Sequence, residues 1–199
     1  MMSPRPLFGL LLAGFCALSV PAIAQSTHVR GAVDSISGDN LVVKTTGGQD
    51  VTVALAPDWK AIGVVPSELS AIKQGTFVGI ATTGPDDKLV AREVLVFPPE
   101  LKGSGEGHYP WDLGSQSTMT NATVEGDVTQ AGDRELTLSY KGGQSKVMVP
   151  PDVPVVTFGP GDRSMVKPGA KVFITAKADG GKLAASRVLV GKDGLTPPM

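Results

Sequence analysis

Lys73-Gln-Gly-Thr-Phe-Val-Gly-Ile80 and Lys167-Pro-Gly-Ala-Lys-Val-Phe-Ile174 are two forms of one segment, 94 residues apart. The agreement extends on both sides. Lys88-Leu-Val-Ala-Arg-Glu-Val-Leu-Val96 matches Lys182-Leu-Ala-Ala-Ser-Arg-Val-Leu-Val190, and Pro57-Asp58 matches Pro151-Asp152. Further toward the amino terminus, Leu41 in GDNLVVKTTGGQ matches Leu136 in GDRELTLSYKGGQ at an offset of 95. The one-residue change falls near a Gly-Gly turn, where it is harmless. Inside a strand it would move every later side chain to the opposite face. Self-similarity on this scale is the signature of a repeated structural unit.

Each unit of about 70 residues carries period-two apolar patterning broken by turn residues. In the first unit, strands are predicted at 29–36, 41–46 and 50–56. A short helical turn follows near 66–73, then strands at 76–82 and 89–97. The second unit repeats this from about 122 to 190. The order β-β-β-α-β-β is that of an OB-like barrel, with an SH3-like barrel or split sandwich as the alternative. The fold expected is all-β, with two tandem five-stranded OB-like barrels arisen by internal duplication. In the last strand, Leu89 and Ala91 share one phase and Val94 and Val96 the other; Leu183/Ala185 and Val188/Val190 do the same. A β-bulge at 92–93 and at 186–187 would turn both sets inward.

Composition narrows the function. Among 199 residues there are 25 Gly and 16 Pro, a turn-rich makeup that leaves little room for long helices. One Cys excludes an intrachain disulfide or a cysteine zinc cluster, and two His exclude a three-histidine metal site within one chain. Lys and Arg number 18 against 19 Asp and Glu. They are spread along both units, so no basic patch is expected and nucleic acid is an unexpected partner.

Residues 1–24 read as a cleavable secretory signal peptide: Arg5, an apolar stretch from Leu7 to Val20, and Ala22-Ile-Ala24 before the cut. Cleavage would remove Cys16, leaving a mature chain with no thiol. A periplasmic or secreted bacterial protein without a membrane-spanning segment is expected. The divisions expected are the leader at 1–24, a barrel at 25–97, a connector at 98–120, a second barrel at 121–192 and a tail at 193–199.

The Gly-x-Val first strand, the Lys-x-Gly before strand four and the Lys-Leu-x-Ala-x-x-Val final strand resemble bacterial exported OB-like repeat proteins of unknown function. The joining segment Gly105-Glu-Gly-His-Tyr-Pro-Trp-Asp-Leu113 resembles a narrower group among them. Some such relatives carry labels borrowed from metal transport. The resemblance implies a fold and a compartment; it implies no reaction.

The connector concentrates the chemistry. Glu106, His108, Tyr109, Trp111 and Asp112 stand within seven residues, in a loop long enough to be functional. They are the candidate ligand- or partner-binding residues; the competing possibility is that Tyr109 and Trp111 merely staple the loop between the barrels. His108, with Glu106 and Asp112, is the candidate metal ligand, although the spacing matches no metal motif. No nucleophile elbow, P-loop, dinucleotide fingerprint or HExxH is present, so no catalytic residue and no cofactor are expected. The expected function is a non-enzymatic binding or envelope-interaction module, its partner an envelope protein or a small ligand. The alternative is a small-ligand or copper/zinc-binding protein using the connector cleft.

Overall fold

The structure is a computed structural model that describes residues 26–126 and 134–197. The expected leader, with Cys16, lies outside the described residues. Among the described residues no helix is long and apolar enough to cross a membrane.

The protein is all-β. Its strands are β1 (Ser26–Ser37), β2 (Asn40–Thr45), β3 (Asp50–Pro66), β4 (Phe77–Thr83), β5 (Leu89–Val96), β6 (Gly107–Pro110), β7 (Ser117–Glu125), β8 (Glu135–Tyr140), β9 (Gly143–Met148), β10 (Val155–Gly159), β11 (Lys171–Asp179) and β12 (Lys182–Gly191). Two expectations about local structure are corrected. The helix placed before strand four is only a single 3-10 turn, at Leu69–Ala71 in the first unit and at Arg163–Met165 in the second. Seven or eight residues hemmed by Pro66 and Gly75 cannot meet the nucleation cost of an α-helix. The third strand does not stop at 56 but runs to Pro66. Pro57, which has no N–H to donate, sits where pairing with β12 skips from Leu55 to Lys60. In the second unit Pro150, Pro151 and Pro154 break the corresponding stretch into β9 and β10.

The strand pairing departs from the expected barrels at 25–97 and 121–192. β1, β2 and β3 pair in series, and the ring is closed by strands of the other half. β11 pairs antiparallel with β1 (Val29↔Ile174), β12 pairs parallel with β3 (Leu183↔Val53), and β11 pairs with β12. The reciprocal set forms a second ring: β7, β8 and β9 with β4 and β5, closed by β4–β7 and a short parallel contact, Leu89↔Val147 and Val90↔Met148. The alternation patterns could not distinguish these arrangements. If the two units present equivalent edges, strands four and five can close either ring with the same inward residues.

Each core therefore mixes both halves. In the first ring Val33, Leu41 and Val53 pack with Val172, Ile174 and Val188. In the second Ile80, Leu89 and Val94 pack with Leu136, Leu138 and Val147. The bulges expected in strand five are present. Pairing of β4 with β5 skips Arg92, between Ala81↔Glu93 and Thr82↔Ala91, and pairing of β12 with β3 skips Ser186. Leu89, Ala91 and Val94 are consequently all buried.

The rings meet along β10, which pairs antiparallel with β3 and parallel with β5. Val64 pairs with Phe158, its counterpart at the 94-residue offset, so the local register is its own mirror about this pair. Gly63 lies at the same crossing, where an added Cβ would collide with the Pro160 carbonyl. A third apolar cluster fills the seam: Val64, Leu95, Val156 and Phe173 are buried, and Phe97, Trp111 and Phe158 pack against them.

Cutting the chain at an inserted protease site between Lys102 and Ser104 is expected to leave the two fragments associated on size exclusion without denaturant, since each ring needs strands from both. Separation of the fragments into two folded species would contradict the pairing. Leu138→Ala, which truncates a fully buried side chain of the second ring, is expected to cost about 2–5 kcal/mol in denaturant unfolding.

Candidate functional site

The connector is ordered by strand pairing. β6 lies antiparallel to β7, with His108 opposite Thr120 and Tyr109 opposite Met119. Beyond β6, Ser117 holds the chain in a tight loop. The Trp111 N–H donates to the Ser117 carbonyl at 2.8 Å, and the Ser117 hydroxyl donates to the Trp111 carbonyl at 2.6 Å. Because side chains alternate along a strand, neighbouring connector residues are sent to different surroundings.

Trp111 and Asp112 turn toward the first ring. Arg30 grips the Asp112 carboxylate with both terminal nitrogens, at 2.8 and 2.7 Å, and His28 Nδ1 lies 3.1 Å from the same group. The His28 ring stands 4.2 Å from the Trp111 ring and 5.4 Å from Phe173, while the Arg30 guanidinium lies 5.0 Å from the Phe173 ring centroid. β1 and β11 deliver these groups because His28 and Arg30 alternate with the inward Val29, opposite Thr175 and Phe173. The Trp111 Nε1 is buried without a hydrogen-bond acceptor, so packing alone holds the indole. Tyr109 accepts a hydrogen bond from Asn121 Nδ2 at 3.1 Å, and burial pushes its phenol up from the ordinary value.

Glu106 and His108 go elsewhere. Glu106 Oε1 accepts the Lys141 N–H at 3.1 Å, tying the connector to the β8–β9 turn. His108 Nδ1 is 2.8 Å from the Thr120 hydroxyl, its Nε2 is 3.7 Å from Asp86 Oδ1, and its ring stacks on Tyr140 at 5.7 Å. The five candidate residues thus form two groups. The structure does not bring His108, Glu106 and Asp112 together, and among the described residues no group of three or more His, Cys, Asp or Glu is placed to hold a metal ion.

Around the first group lies an open depression of about 760 Å³, lined by Ser26, Thr27 and His28 of β1, by Tyr109 to Asp112, and by Thr175 of β11. Arg30 and Phe173 are the functional-site neighbours that sequence reasoning missed. The alternation of His28 and Arg30 about Val29 marks them as outward-facing; nothing local says that Asp112 lies across from them. In comparison with known proteins, no family model, no curated protein and no solved structure matches this chain.

Burial holds the His28 imidazole below its ordinary value, more than the Asp112 charge raises it. Burial works to raise the Asp112 carboxyl, but Arg30 and His28 together hold it below the ordinary carboxylate value. Both folded values lie below the unfolded ones, so each group contributes stability above its unfolded value that is lost on acidification. The seam is expected to weaken first below about pH 6.5, as His28 gains a proton, and again below about pH 4, as Asp112 does. Trp111 emission in a Trp59→Phe background is expected to change in these two windows; a flat profile from pH 8 to pH 3 would contradict the linkage. Asp112→Ala is expected to cost about 1 kcal/mol, because the pair is bidentate but half exposed, and Trp111→Ala about 2–3 kcal/mol. Both are read from thermal unfolding.

Proposed function

We propose that the chain is a non-enzymatic binding module of the bacterial envelope, exported by its leader. Its two OB-like rings derive from a duplicated unit and have exchanged their fourth and fifth strands. A partner segment or small ligand is received in the depression where β6 meets β1 and β11. The observation that carries this reading is the composition of that depression. An aromatic pair, a desolvated imidazole, three hydroxyl side chains and a half-exposed carboxylate surround one open concavity at the seam between the rings. Seams of this kind are favoured places for binding, and aromatic side chains beside a few fixed polar groups are what a recognised ligand needs. The arrangement within the seam also accounts for Trp111 as a staple: the indole and the Arg30–Asp112 pair form the rigid floor, and the hydroxyls of Ser26, Thr27 and Thr175 form the adaptable rim.

Metal carriage has less behind it. His108 is engaged by Thr120 and stacked on Tyr140, and the Asp112 oxygens face Arg30. Titration with Zn²⁺ or Cu²⁺ is expected to give no saturable binding that His108→Ala removes.

The binding reading is tested in the exported full chain with a photo-crosslinking side chain at Thr175. A discrete crosslinked species is expected there and not from the same group at Lys146. Thr27→Arg, which fills the rim while changing stability by no more than about 0.5 kcal/mol, is expected to abolish it. Indistinguishable crosslinking from Thr175 and Lys146, or a species indifferent to Thr27→Arg, would overturn the assignment.

A further inference from the structure

Lysines far apart in the sequence meet on one side of the first ring, contrary to the expectation that cations are evenly dispersed. Lys167 and Lys171 lead into β11, and Lys192 follows β12. Because β11 and β12 are antiparallel neighbours, the two loops face each other across a depression of about 670 Å³, whose rim also holds Ser164 and Asp193. A second hollow of about 280 Å³ adjoins it, with Lys171 common to both and with Lys44, Thr45, Thr46 and Thr196 around it. Four lysines and one aspartate, Asp193, thus line two adjoining concavities.

Two features, the counterparts in the other unit and the division of charge between the rings, set this cluster apart from an ordinary solvated surface. Lys44, Lys167, Lys171 and Lys192 form no ion pair or side-chain hydrogen bond among the described residues, a condition they share with lysines such as Lys73 and Lys88, so all four charges are available to a ligand. The equivalent positions of the other unit, 94 residues earlier, are Lys73, Phe77 and Pro98. One cation stands there in place of three, so the fold itself does not require the lysines. The charge is also divided between the rings. Residues 26–66 and 160–197 carry ten Lys and Arg against seven Asp and Glu, net +3, while residues 67–159 carry seven against twelve, net −5. In a chain that is acidic overall, four lysines without ion-pair partners line one pair of adjoining hollows, and such focusing raises the local concentration of anions.

We propose that these adjoining hollows bind phosphoryl groups, with Lys167, Lys171 and Lys192 holding one anionic group and Lys44 with Lys171 a neighbouring one. Lysine serves this chemistry as a point charge. The spacing of two hollows about one shared lysine suits a ligand that presents more than one phosphate oxygen cluster, either a soluble diphosphate or the headgroups of an anionic bilayer. This site shares no lining residue with the depression at the seam and does not depend on it.

The test uses the full mature chain and two probes: inorganic pyrophosphate by calorimetry, and phosphatidylglycerol vesicles by sedimentation against phosphatidylcholine vesicles. Saturable binding of pyrophosphate assigns a soluble ligand; binding to phosphatidylglycerol vesicles alone assigns a membrane headgroup. In either case Lys167→Gln/Lys171→Gln/Lys192→Gln is expected to weaken binding at least about tenfold, and raising the salt from 50 to 300 mM to weaken it further. A control with the same loss of charge in the other ring, Lys73→Gln/Lys88→Gln/Lys146→Gln, is expected to bind as the parent does. All six positions are exposed, and unchanged thermal unfolding verifies the fold. Absence of binding to both probes, or an equal loss in the control, would overturn the proposal.

Discussion

Neither ring closes within one repeat unit, and the first closes only when strands more than a hundred residues apart find one another. β1 needs β11, and β3 needs β12; the second ring likewise needs β4 and β5 to reach β7 and β9. Every other feature depends on this exchange. It places residues of both halves in each core, it lays β10 between β3 and β5 as a shared strand, and it brings Phe97, Trp111 and Phe158 against Phe173, Leu95 and Val156. Long-range pairing carries a closure cost before it returns any contact energy. Because each ring takes strands from both halves, their folding is expected to be coupled, where the repeats alone suggest two independent bodies.

The seam shows how a connector becomes structure. Twenty or so residues joining two barrels would ordinarily be free to wander. Here β6 pairs with β7, Ser117 ties the following loop, and Asp112 is gripped by Arg30 from β1. The same stretch that spans the two rings also locks them, and the acid sensitivity expected of the lock follows from the burial of His28 and from the charges of Arg30 and His28 on Asp112.

Local features were legible from the residues alone. The phase change between Leu89/Ala91 and Val94/Val96 located the bulge at Arg92, and the Gly-Gly turns located the hairpins. The extent of β3 was hidden because Pro57-Asp58 reads as a turn, while in the fold the missing N–H falls opposite a skip in β12. Which strands close which ring was not legible at all: the inward residues of strand five are equally suited to either partner. The site suffered from the same ambiguity. Trp111 and Asp112 were conspicuous, yet Arg30 and Phe173 become their neighbours only through the exchanged pairing. The lysines around the first ring are scattered over positions 44 to 192 and come together only because β11 lies beside β1 and β12 beside β11 and β3.

The exchange itself is tested most directly by a cysteine pair in a Cys16→Ser background. Ala32 and Lys171 are register partners between β1 and β11. If strand four of the same unit closed the ring instead, Ala32 would face Phe77, the counterpart of Lys171 at the 94-residue offset. Oxidation of Ala32→Cys/Lys171→Cys is expected to give an intramolecular disulfide, seen as a faster-migrating monomer that reductant restores. Free thiols in that variant, together with ready closure in Ala32→Cys/Phe77→Cys, would show that each half forms its own barrel and would contradict the account.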